Sequence, residues 1–565
     1  MTARRLSAGA VAVLVVAALT ACAPGLPETV VPGTEVTAGW GGTFTSANAA
    51  ASPTPGNIAV ADVTRGSFGD LVDGEFVADE SFGTARIVAD DPFTVTYDLA
   101  EPAWSDGIPL DAADLLLGWA GASGYFDAVD ESGTPPADAE AVIPALDEFA
   151  RSIDVTFGQP VVGWQRAVTA PVPAHVVGRL ALGIDDAMEA KQAVIRAIQD
   201  DDRAALDAIS EAWTTGFDVS GADEAAAGVL LSSGPFVVDD VRDDEAGQSV
   251  TLVPNIAFRG AVTAKVARIE LVPEGAQPVA EVGDRLDVAI LAPATANHGL
   301  VRELERKDFA VNTSHDGTVW AMHLDPAGVF ASPEARTAFL RSAPASAMVE
   351  RGGGLWSSSY TGTTSMLAAP GSRAFDIVNE DSGFTAALGT PSEDAALDRE
   401  AAGVPAGSAV CVLYDRASEF AGGAFTALRD AAAEAGWNVV DCGSDDFDAA
   451  LTQRGWNAVI TRTPIPEAPE QIAAQWGSGG AASVSGHSDP ARDEAIAAYA
   501  RTADVYEARE ALAQIEATIV RAAVVLPLSV NPLVTVIDPE VTGVSTPDGP
   551  PARLIRGASQ WETSP

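Results

Sequence analysis

Histidine, serine and carboxylate side chains supply most catalytic and metal-binding chemistry, and their spacing in this chain fits none of the common sites. The five histidines are scattered: His175, His298, His315, His323 and His487. No two of them have the His-Glu-x-x-His spacing of a zinc site, and no Gly-x-Ser-x-Gly sequence marks a nucleophilic serine. The 79 Asp and Glu residues do not single out an acid–base pair. The sequence therefore predicts no catalytic residue, metal site or cofactor, and no enzyme.

Two of the three cysteines, Cys411 and Cys442, lie in a segment whose pattern predicts a βαβ unit. A strand-like run, 410–414, precedes a stretch in which apolar residues recur at helical steps, and a second strand begins at Trp437 after Gly436. Neighbouring strands lie about 4.8 Å apart, and the compartment is oxidising if the chain is exported, so a disulfide is chemically allowed. Two buried free thiols are the alternative, because an offset between the two positions would carry the Cα atoms beyond about 7 Å.

The third cysteine, Cys22, ends an N-terminal segment with the features of a secretory signal. Two arginines precede an apolar run, 8–19, that is too short to cross about 30 Å of hydrocarbon as a helix. The preceding Leu-Thr-Ala resembles the lipobox of bacterial lipoproteins, which implies a signal peptide over 1–21, a lipid anchor on Cys22 and a place on the extracytoplasmic face of the cell membrane. An ordinary secretory signal with an incidental cysteine is the alternative. Residues 22–39, rich in Pro, Thr and Gly, are expected to form a flexible stalk.

The body that follows is large and acidic. The 565 residues include 33 Lys+Arg against 79 Asp+Glu, which gives a formal net charge of −46 at pH 7. Such a surface repels phosphates, so nucleic acid is excluded as a partner. None of the three lysines follows a glycine, so a phosphate-binding P-loop is absent. Hydrophobic residues make up 47% of the chain, enough for large buried cores, and the length predicts three or four compact units.

Periodic patterns along the body indicate alternating strands and helices. Residues 93–99 and 153–157 alternate apolar and polar side chains, as half-buried strands do. Residues 185–213 lack Gly and Pro and predict a helical hairpin. A last helix leads into the apolar run 524–528, which ends the body. The fold class is therefore α/β with mixed sheets.

Several short motifs, in order along residues 40–535, match those of one protein family. They are Trp104-Ser105-Asp106-Gly107, Pro173-Ala174-His175, Ser233-Gly234-Pro235-Phe236, Asn255 with Phe258-Arg259-Gly260, Gly283 to Val288, and Ser485-Gly486-His487-Ser488-Asp489-Pro490. In these motifs the chain resembles the family 5 extracellular solute-binding lipoproteins of ABC transporters, the oligopeptide and dipeptide type. Asp106-Gly107 favours a tight turn, and Asp111 or Asp114 can cap the helix that follows, so a packing role is expected for the first motif.

The resemblance implies a type II periplasmic-binding-protein fold with two main lobes, an extra subdomain and a ligand held between lobes that close by hinge bending. The implied division is lobe I over 40–57, 171–276 and 526–565, the extra subdomain over 58–170 and lobe II over 277–525, with crossovers near Pro273-Glu274 and Pro527-Leu528. Trp320 and Trp356 are candidates for the ligand cleft, because aromatic side chains often line such sites. Burial of both in the protein core is the alternative.

The family resemblance implies that the protein carries a ligand, by preference a peptide but also another small molecule, to the permease subunits of an ABC importer. The chain departs from typical importers after Asp325, where Pro326 stands in place of an Asn. Residues 91–97 resemble the branch that contains the mycobacterial lipoprotein that regulates phosphatidylinositol mannoside and lipoarabinomannan assembly. A scaffold or regulator of such cell-envelope glycolipid assembly is therefore the second hypothesis, and an unrecognised extracellular hydrolase is the third.

Overall fold

The computed structural model describes residues 26–72, 74–126, 142–144, 146, 150–219, 228–275, 277–546, 548–549 and 551–565. The predicted signal peptide, 1–21, and the predicted anchor, Cys22, lie outside these residues. Within them, no helix combines the length and the apolar character needed to cross a bilayer.

Strands and helices alternate along the described chain. The strands are β1 Val31–Trp40, β2 Gly69–Val72, β3 Glu75–Ala78, β4 Gly83–Asp90, β5 Phe93–Leu99, β6 Ser152–Thr156, β7 Phe236–Asp244, β8 Gly247–Pro254, β9 Val266–Pro273, β10 Val288–Leu291, β11 Ala310–Leu324, β12 Ala409–Tyr414, β13 Asn438–Asp441, β14 Ala458–Pro464 and β15 Val525–Ile537. The α-helices are α1 Pro55–Thr64, α2 Ala112–Ala122, α3 Ala174–Leu182, α4 Ala187–Gln199, α5 Arg203–Thr215, α6 Thr295–Glu305, α7 Pro333–Arg341, α8 Ala345–Gly353, α9 Arg373–Asp381, α10 Phe384–Ala387, α11 Ala395–Ala401, α12 Glu419–Glu434, α13 Phe447–Gln453, α14 Pro469–Trp476, α15 Pro490–Ala500 and α16 Val505–Ala522. The predicted strand over 93–99, the hairpin of α4 and α5, and the βαβ unit of β12, α12 and β13 are confirmed.

One mixed sheet of ten strands runs through the molecule in the order β13-β12-β14-β11-β15-β10-β1-β9-β8-β7. β2 and β3 form a two-stranded antiparallel sheet, and β4, β5 and β6 form a three-stranded one. β11 and β15 are long, with 15 and 13 residues, and they lie side by side in the middle of the large sheet. Each of them therefore contributes to both halves of the sheet.

The expected stalk over 22–39 is wrong for residues 31–39, which belong to β1. This strand pairs in parallel with β9 on one side and with β10 on the other. Thr34, Val36 and Ala38 alternate along it and are at most 2% exposed, so one face of the segment is buried. The Pro, Gly and Thr content of the segment indicated a solvated chain and concealed this alternation.

The prediction assigns residues 277–525 to lobe II, whereas β10 pairs with a strand of predicted lobe I. Val288 of β10 pairs with Ala38 of β1, and Asp287 Oδ2 accepts a hydrogen bond of 2.7 Å from the backbone N–H of Thr37. β10 therefore extends the half of the sheet that holds β1 and β9, which the prediction gave to lobe I. The remaining lobe boundaries stay predictions.

The two halves of the sheet have separate cores. A large cluster of buried side chains surrounds β1, β9, β5 and α2. At the other end, Trp320, Met322 and Leu324 of β11 pack towards α12, whereas Val319 and Ala321 pack towards α16. Successive side chains of β11 thus enter cores on opposite faces of the sheet, as the period of two in a strand requires.

Candidate functional site

The hydrogen-bonded ladder between β11 and β15 is interrupted where the two halves of the sheet meet. His315 pairs with Pro532 and Val319 with Val530, so the three residues 316–318 lie opposite Asn531 alone. Gly317 has φ +77°, in the left-handed region that glycine enters without strain. Such a bulge bends a strand and frees polar groups for other contacts. We take this crossover as the candidate site.

A chain of buried polar groups fills the bulge. Asp316 Oδ2 accepts hydrogen bonds from Asn531 Nδ2 at 2.6 Å and from Arg462 Nη1 at 3.2 Å. Asp316 Oδ1 accepts from the backbone N–H and the hydroxyl of Thr318, at 2.9 and 2.6 Å. Asn531 Oδ1 accepts from Trp320 Nε1 at 2.7 Å. Both carboxylate oxygens and both ends of the amide are thus occupied, which fixes the geometry of the crossover.

Three aromatic rings are stacked beside this polar chain. Trp320 stacks on Phe420 with ring centroids 4.6 Å apart, and Phe420 stacks on Tyr360 at 4.8 Å. Arg462, whose side chain is about half exposed, lies 5.8 Å from the centroid of the Trp320 ring. Burial, with a contribution from Glu419, raises the pKa of Tyr360 to about 12, so its phenol stays protonated. The crossover thus combines a largely buried aromatic stack with one accessible cation.

Trp356, the second predicted cleft residue, occupies a neighbouring core. Its Nε1 donates to the carbonyl of Ala294 at 2.8 Å, and its ring meets the edge of His298 with centroids 5.0 Å apart. Tyr360 packs against this core and also against the core that contains Trp320. The two tryptophans are only 8% and 5% exposed, so both are core side chains, and a contact of either with a ligand stays a prediction.

The crossover residues Asp316, Asn531, Arg462, Phe420 and Tyr360 were not among the candidates from the sequence. One signal for them existed, because Asp316-Gly317 is a turn dipeptide inside a long strand-like run and predicts a bulge. The convergence of the other residues depends on pairing between strands that are about 200 residues apart. That pairing is not encoded in any local pattern.

The family motif at Trp104 forms a buried framework. Asp114 Oδ1 accepts from Trp104 Nε1 at 3.2 Å and from the backbone N–H of Ala174 at 2.8 Å, and Oδ2 accepts from Lys191 Nζ at 2.8 Å. Burial by itself would lower the pKa of Lys191, but Asp114 and Asp111 together raise it, so the ammonium stays charged. The expected packing role of the motif therefore agrees with its contacts.

The other motifs also hold the backbone in place. Asn255 Nδ2 donates to the carbonyl of Gly234 at 2.8 Å, which joins two of the motifs. Asp489 caps α15, and buried Arg492 donates to the carbonyls of Trp476 and His487 at 2.7 and 2.8 Å. Among the residues that the structure describes, no group of three His, Cys, Asp or Glu side chains is arranged to hold a metal ion.

Cys411 and Cys442 form a disulfide in the structure, with Cα atoms 5.5 Å apart. Cys411 pairs with Val440 in the parallel ladder of β12 and β13, and the backbone N–H of Cys442 donates to the carbonyl of Val412. The offset between the two positions is therefore two residues, and it lies within the reach of a disulfide.

Comparison with solved structures shows the same architecture along almost the whole chain. A periplasmic EDTA-binding protein, EppA, covers 96% of this chain and 98% of its own, with 18% identity and a TM-score of 0.73. The ABC transporter substrate-binding protein CtaP of Listeria monocytogenes covers 94% and 100%, with 16% identity and a TM-score of 0.68. The oligopeptide-binding protein AppA of Bacillus subtilis, in complex with a nonapeptide, covers 94% and 99%, with 11% identity and a TM-score of 0.61. The α/β fold is that of the periplasmic binding proteins, so the predicted fold class is confirmed.

Comparison by sequence finds more limited similarity. No protein-family profile matches the chain. An uncharacterized lipoprotein of Mycobacterium tuberculosis is 29% identical over 233 residues, which are 40% of this chain and 39% of the relative. One of Mycobacterium leprae is 27% identical over 277 residues, 48% and 46% of the two chains. The matched segments thus span less than half of the length of these curated relatives.

Proposed function

We propose that this protein is a lipid-anchored, extracytoplasmic solute-binding protein that holds a ligand between its two lobes and presents it to the permease of an ABC importer. The observation that carries the proposal is the fold, which is shared along almost the whole chain with substrate-binding proteins. The relatives that are named lipoproteins support the membrane anchor. The role is one of binding, without catalysis.

We favour a peptide as the ligand. One neighbour in fold was solved with a nonapeptide, although another is named for binding EDTA, so the fold itself accepts different ligands. At the crossover, the half-buried Tyr360 ring at the end of the Trp320–Phe420–Tyr360 stack offers an apolar contact for a side chain, and the accessible guanidinium of Arg462 offers a partner for a carboxylate. A short peptide carries both groups.

A binding screen tests the proposal. Thermal-shift and calorimetric measurements on the full chain, with pools of short peptides and with envelope glycolipids as probes, should detect a ligand that raises the melting temperature. Arg462→Gln should then weaken the affinity by about tenfold, because a charge-assisted hydrogen bond is lost.

Arg416→Gln is the matched control. Arg416 likewise lies over an aromatic ring, Tyr414 at 6.0 Å, and contacts an aspartate, Asp441 at 3.2 Å, but it lies at the end of β12 and takes no part in the crossover contacts. Equal effects of the two variants would contradict a ligand contact at the crossover. Failure of every peptide to bind would contradict the peptide importer.

A scaffold or regulator of envelope glycolipid assembly is the second candidate. The resemblance of residues 91–97 to that branch and the mycobacterial lipoproteins among the relatives favour it. Binding of a glycolipid in the same screen, together with a changed lipoglycan profile in a deletion strain that takes up peptides normally, would select this function over import. Turnover of any probe would instead indicate a hydrolase.

A further inference from the structure

The two halves of the molecule are joined by β11 and β15, and the ladder between these strands is interrupted at 316–318. We call the half that contains the cluster around β1, β5 and α2 the first body, and the half that contains the clusters around α11 and α12 and around α9, α14, α15 and α16 the second body. Two long strands that share a bulge form a link about which two rigid cores can rotate. Any further contact between the bodies must then form or break as they move.

The β2–β3 hairpin makes one such contact. Glu75, the first residue of β3, belongs to the first body, and its Oε1 accepts from Arg509 Nη2 of α16 at 2.5 Å. The same oxygen forms an ion pair with Arg373 Nε of α9 at 3.2 Å. Arg509 and Arg373 belong to helices of the second body and lie more than 100 residues apart in the chain. One carboxylate therefore connects the first body to two helices of the second.

A second contact lies at the turn between α15 and α16. Trp164 Nε1 donates to the carbonyl of Ala503 at 3.2 Å, and the backbone N–H of Val162 donates to the carbonyl of Ala500 at 3.1 Å. Glu75 and this pair of contacts thus engage the start of α16 from two segments of the first body. The first body thus contacts the turn through the backbone carbonyls of Ala500 and Ala503, and it contacts α16 through the side chain of Arg509.

The ion pair between Glu75 and Arg509 lies in a partly buried position, where the attraction between charges is stronger than at the surface. The Arg509 side chain is only 11% exposed, and its guanidinium lies 5.5 Å from the Tyr506 ring. Partial burial of Arg509 reduces the screening that makes exposed ion pairs weak, whereas Arg373, whose side chain is 69% exposed, adds a weaker attraction. Basic residues are few in this chain, 33 against 79 acidic residues, and two of them surround this one glutamate.

We call the arrangement in which Glu75 contacts Arg509 and Arg373 closed. We propose that Glu75 is a latch that holds the two bodies in this closed arrangement before any ligand is bound. Opening requires both ion pairs to separate, so the latch biases the ligand-free chain towards the closed arrangement. A ligand that binds the closed arrangement then gains affinity in proportion to that population. The proposal concerns the ligand-free chain and does not depend on the identity of the ligand.

Distance measurement between the bodies tests the latch. Spin labels are attached at two exposed residues, Val88 in the first body and Leu397 of α11 in the second body. They are introduced through an unnatural amino acid, so that the native cysteines remain unchanged. Double electron–electron resonance on the full chain in nanodiscs, without ligand, then reports the open and closed populations. Glu75→Ala should raise the open-to-closed ratio by about fivefold, the size expected for a partly buried ion pair.

Further variants separate the latch from local damage to the hairpin. Arg509→Ala lies on the other body and should open the chain to a similar extent, and the swap of Glu75→Arg with Arg509→Glu should restore closure in part. Glu101→Ala is the control, because it breaks a 2.9 Å pair with Arg151 that lies within the first body. Unchanged distances in both Glu75→Ala and Arg509→Ala, or an equal change in Glu101→Ala, would overturn the proposal. These distance measurements need no ligand, so their outcome is independent of the outcome of the binding screen.

Discussion

Trp320 and Asn531 join the two crossover strands through a buried hydrogen bond in which the indole Nε1 donates to the amide Oδ1 at 2.7 Å. The amide Nδ2 of Asn531 in turn donates to Asp316, so the indole is the end of a polar chain and is oriented by it. Both side chains are more than nine-tenths buried. Loss of the indole N–H would therefore leave a buried acceptor without a partner, which costs free energy beyond the loss of ring contacts.

Trp320→Phe is expected to lower the free energy of unfolding by about 1–3 kcal/mol more than Trp437→Phe does. Trp437 is also buried and packs edge-on against Phe339 at 5.1 Å, but its Nε1 has no hydrogen-bond partner in the described part of the chain. The two variants lose the same atoms, so their difference reports mainly the hydrogen bond, with a smaller part from the stacking of Trp320 on Phe420. Urea unfolding followed by circular dichroism measures it, and equal losses would show that the bond to Asn531 contributes nothing.

Asp114→Asn is expected to destabilise the chain by about 3–5 kcal/mol. The variant removes the main counter-charge of Lys191, which is 2% exposed and donates to Asp114 Oδ2 at 2.8 Å. Glu101→Gln, at the exposed pair with Arg151, serves as the control and should change the unfolding midpoint far less. Similar midpoints for the two variants would mean that Asp111 alone compensates Lys191.

Glu516 is expected to make stability depend on pH between about 4.5 and 7. Burial raises the pKa of this carboxyl from 4.5 to about 7, against hydrogen bonds from the hydroxyl of Ser365 and the backbone N–H groups of Met366 and Leu367, which lower it. In this window the folded chain keeps a proton that the unfolded chain has lost. The stabilising contribution is therefore complete below about pH 4.5 and is lost as the pH rises to 7, by about 3 kcal/mol in total.

Glu516→Gln tests this pH dependence, because the amide resembles the protonated acid and does not titrate. Urea midpoints of the wild type and the variant should converge near pH 5 and separate towards pH 8, with the wild type the less stable. Other titrating groups are common to both chains and cancel in the difference. If the urea midpoints of the two chains instead change with pH in parallel, the pKa of Glu516 lies near its ordinary value.

Cys22→Ala is expected to abolish the lipid anchor. The resemblance of the segment before Cys22 to a lipobox predicts acylation of this thiol, and two or more acyl chains bind a membrane far more firmly than one. The variant should accumulate as an unprocessed precursor or appear in the soluble fraction. Fractionation with immunoblotting, alongside Cys411→Ala as a control for the loss of a cysteine, reads out the result. Unchanged membrane partition of Cys22→Ala would contradict the lipid anchor and favour the alternative, an ordinary secretory signal.

Local patterns in the sequence were sufficient for much of the fold. The alternation over 93–99, the helical hairpin over 185–213 and the βαβ unit around α12 each depend on neighbours in sequence, and each has the predicted type. The motifs that resemble the family proved to be frameworks of buried hydrogen bonds around residues such as Asp114 and Asn255. Residues that specify such frameworks recur as motifs because few substitutes satisfy the same bonds.

The crossover site was beyond the reach of the sequence for a physical reason. Asp316, Arg462 and Asn531 come from three strands whose order in the sheet is set by global packing. The residues of β1 were predicted to form a stalk because Pro and Gly are frequent in the segment and its alternation of apolar and polar residues is short. The segment forms a strand because it pairs with β9, which is distant in the sequence. The cleft candidates were chosen for their residue type, which does not distinguish a core tryptophan from one that meets a ligand.

The disulfide between Cys411 and Cys442 is expected to form in the exported protein and to stabilise the β12–α12–β13 unit. It closes a loop with a sequence separation of 31, which the chain-entropy model values at about 3–4 kcal/mol. Mass spectrometry of the unreduced, alkylated protein should find neither thiol modified, and dithiothreitol should lower the urea midpoint. Cys411→Ser with Cys442→Ser is the control, because its midpoint should not respond to the reductant. Alkylation of both thiols in the native protein would instead establish two free, half-buried cysteines, one in β12 and one directly after β13.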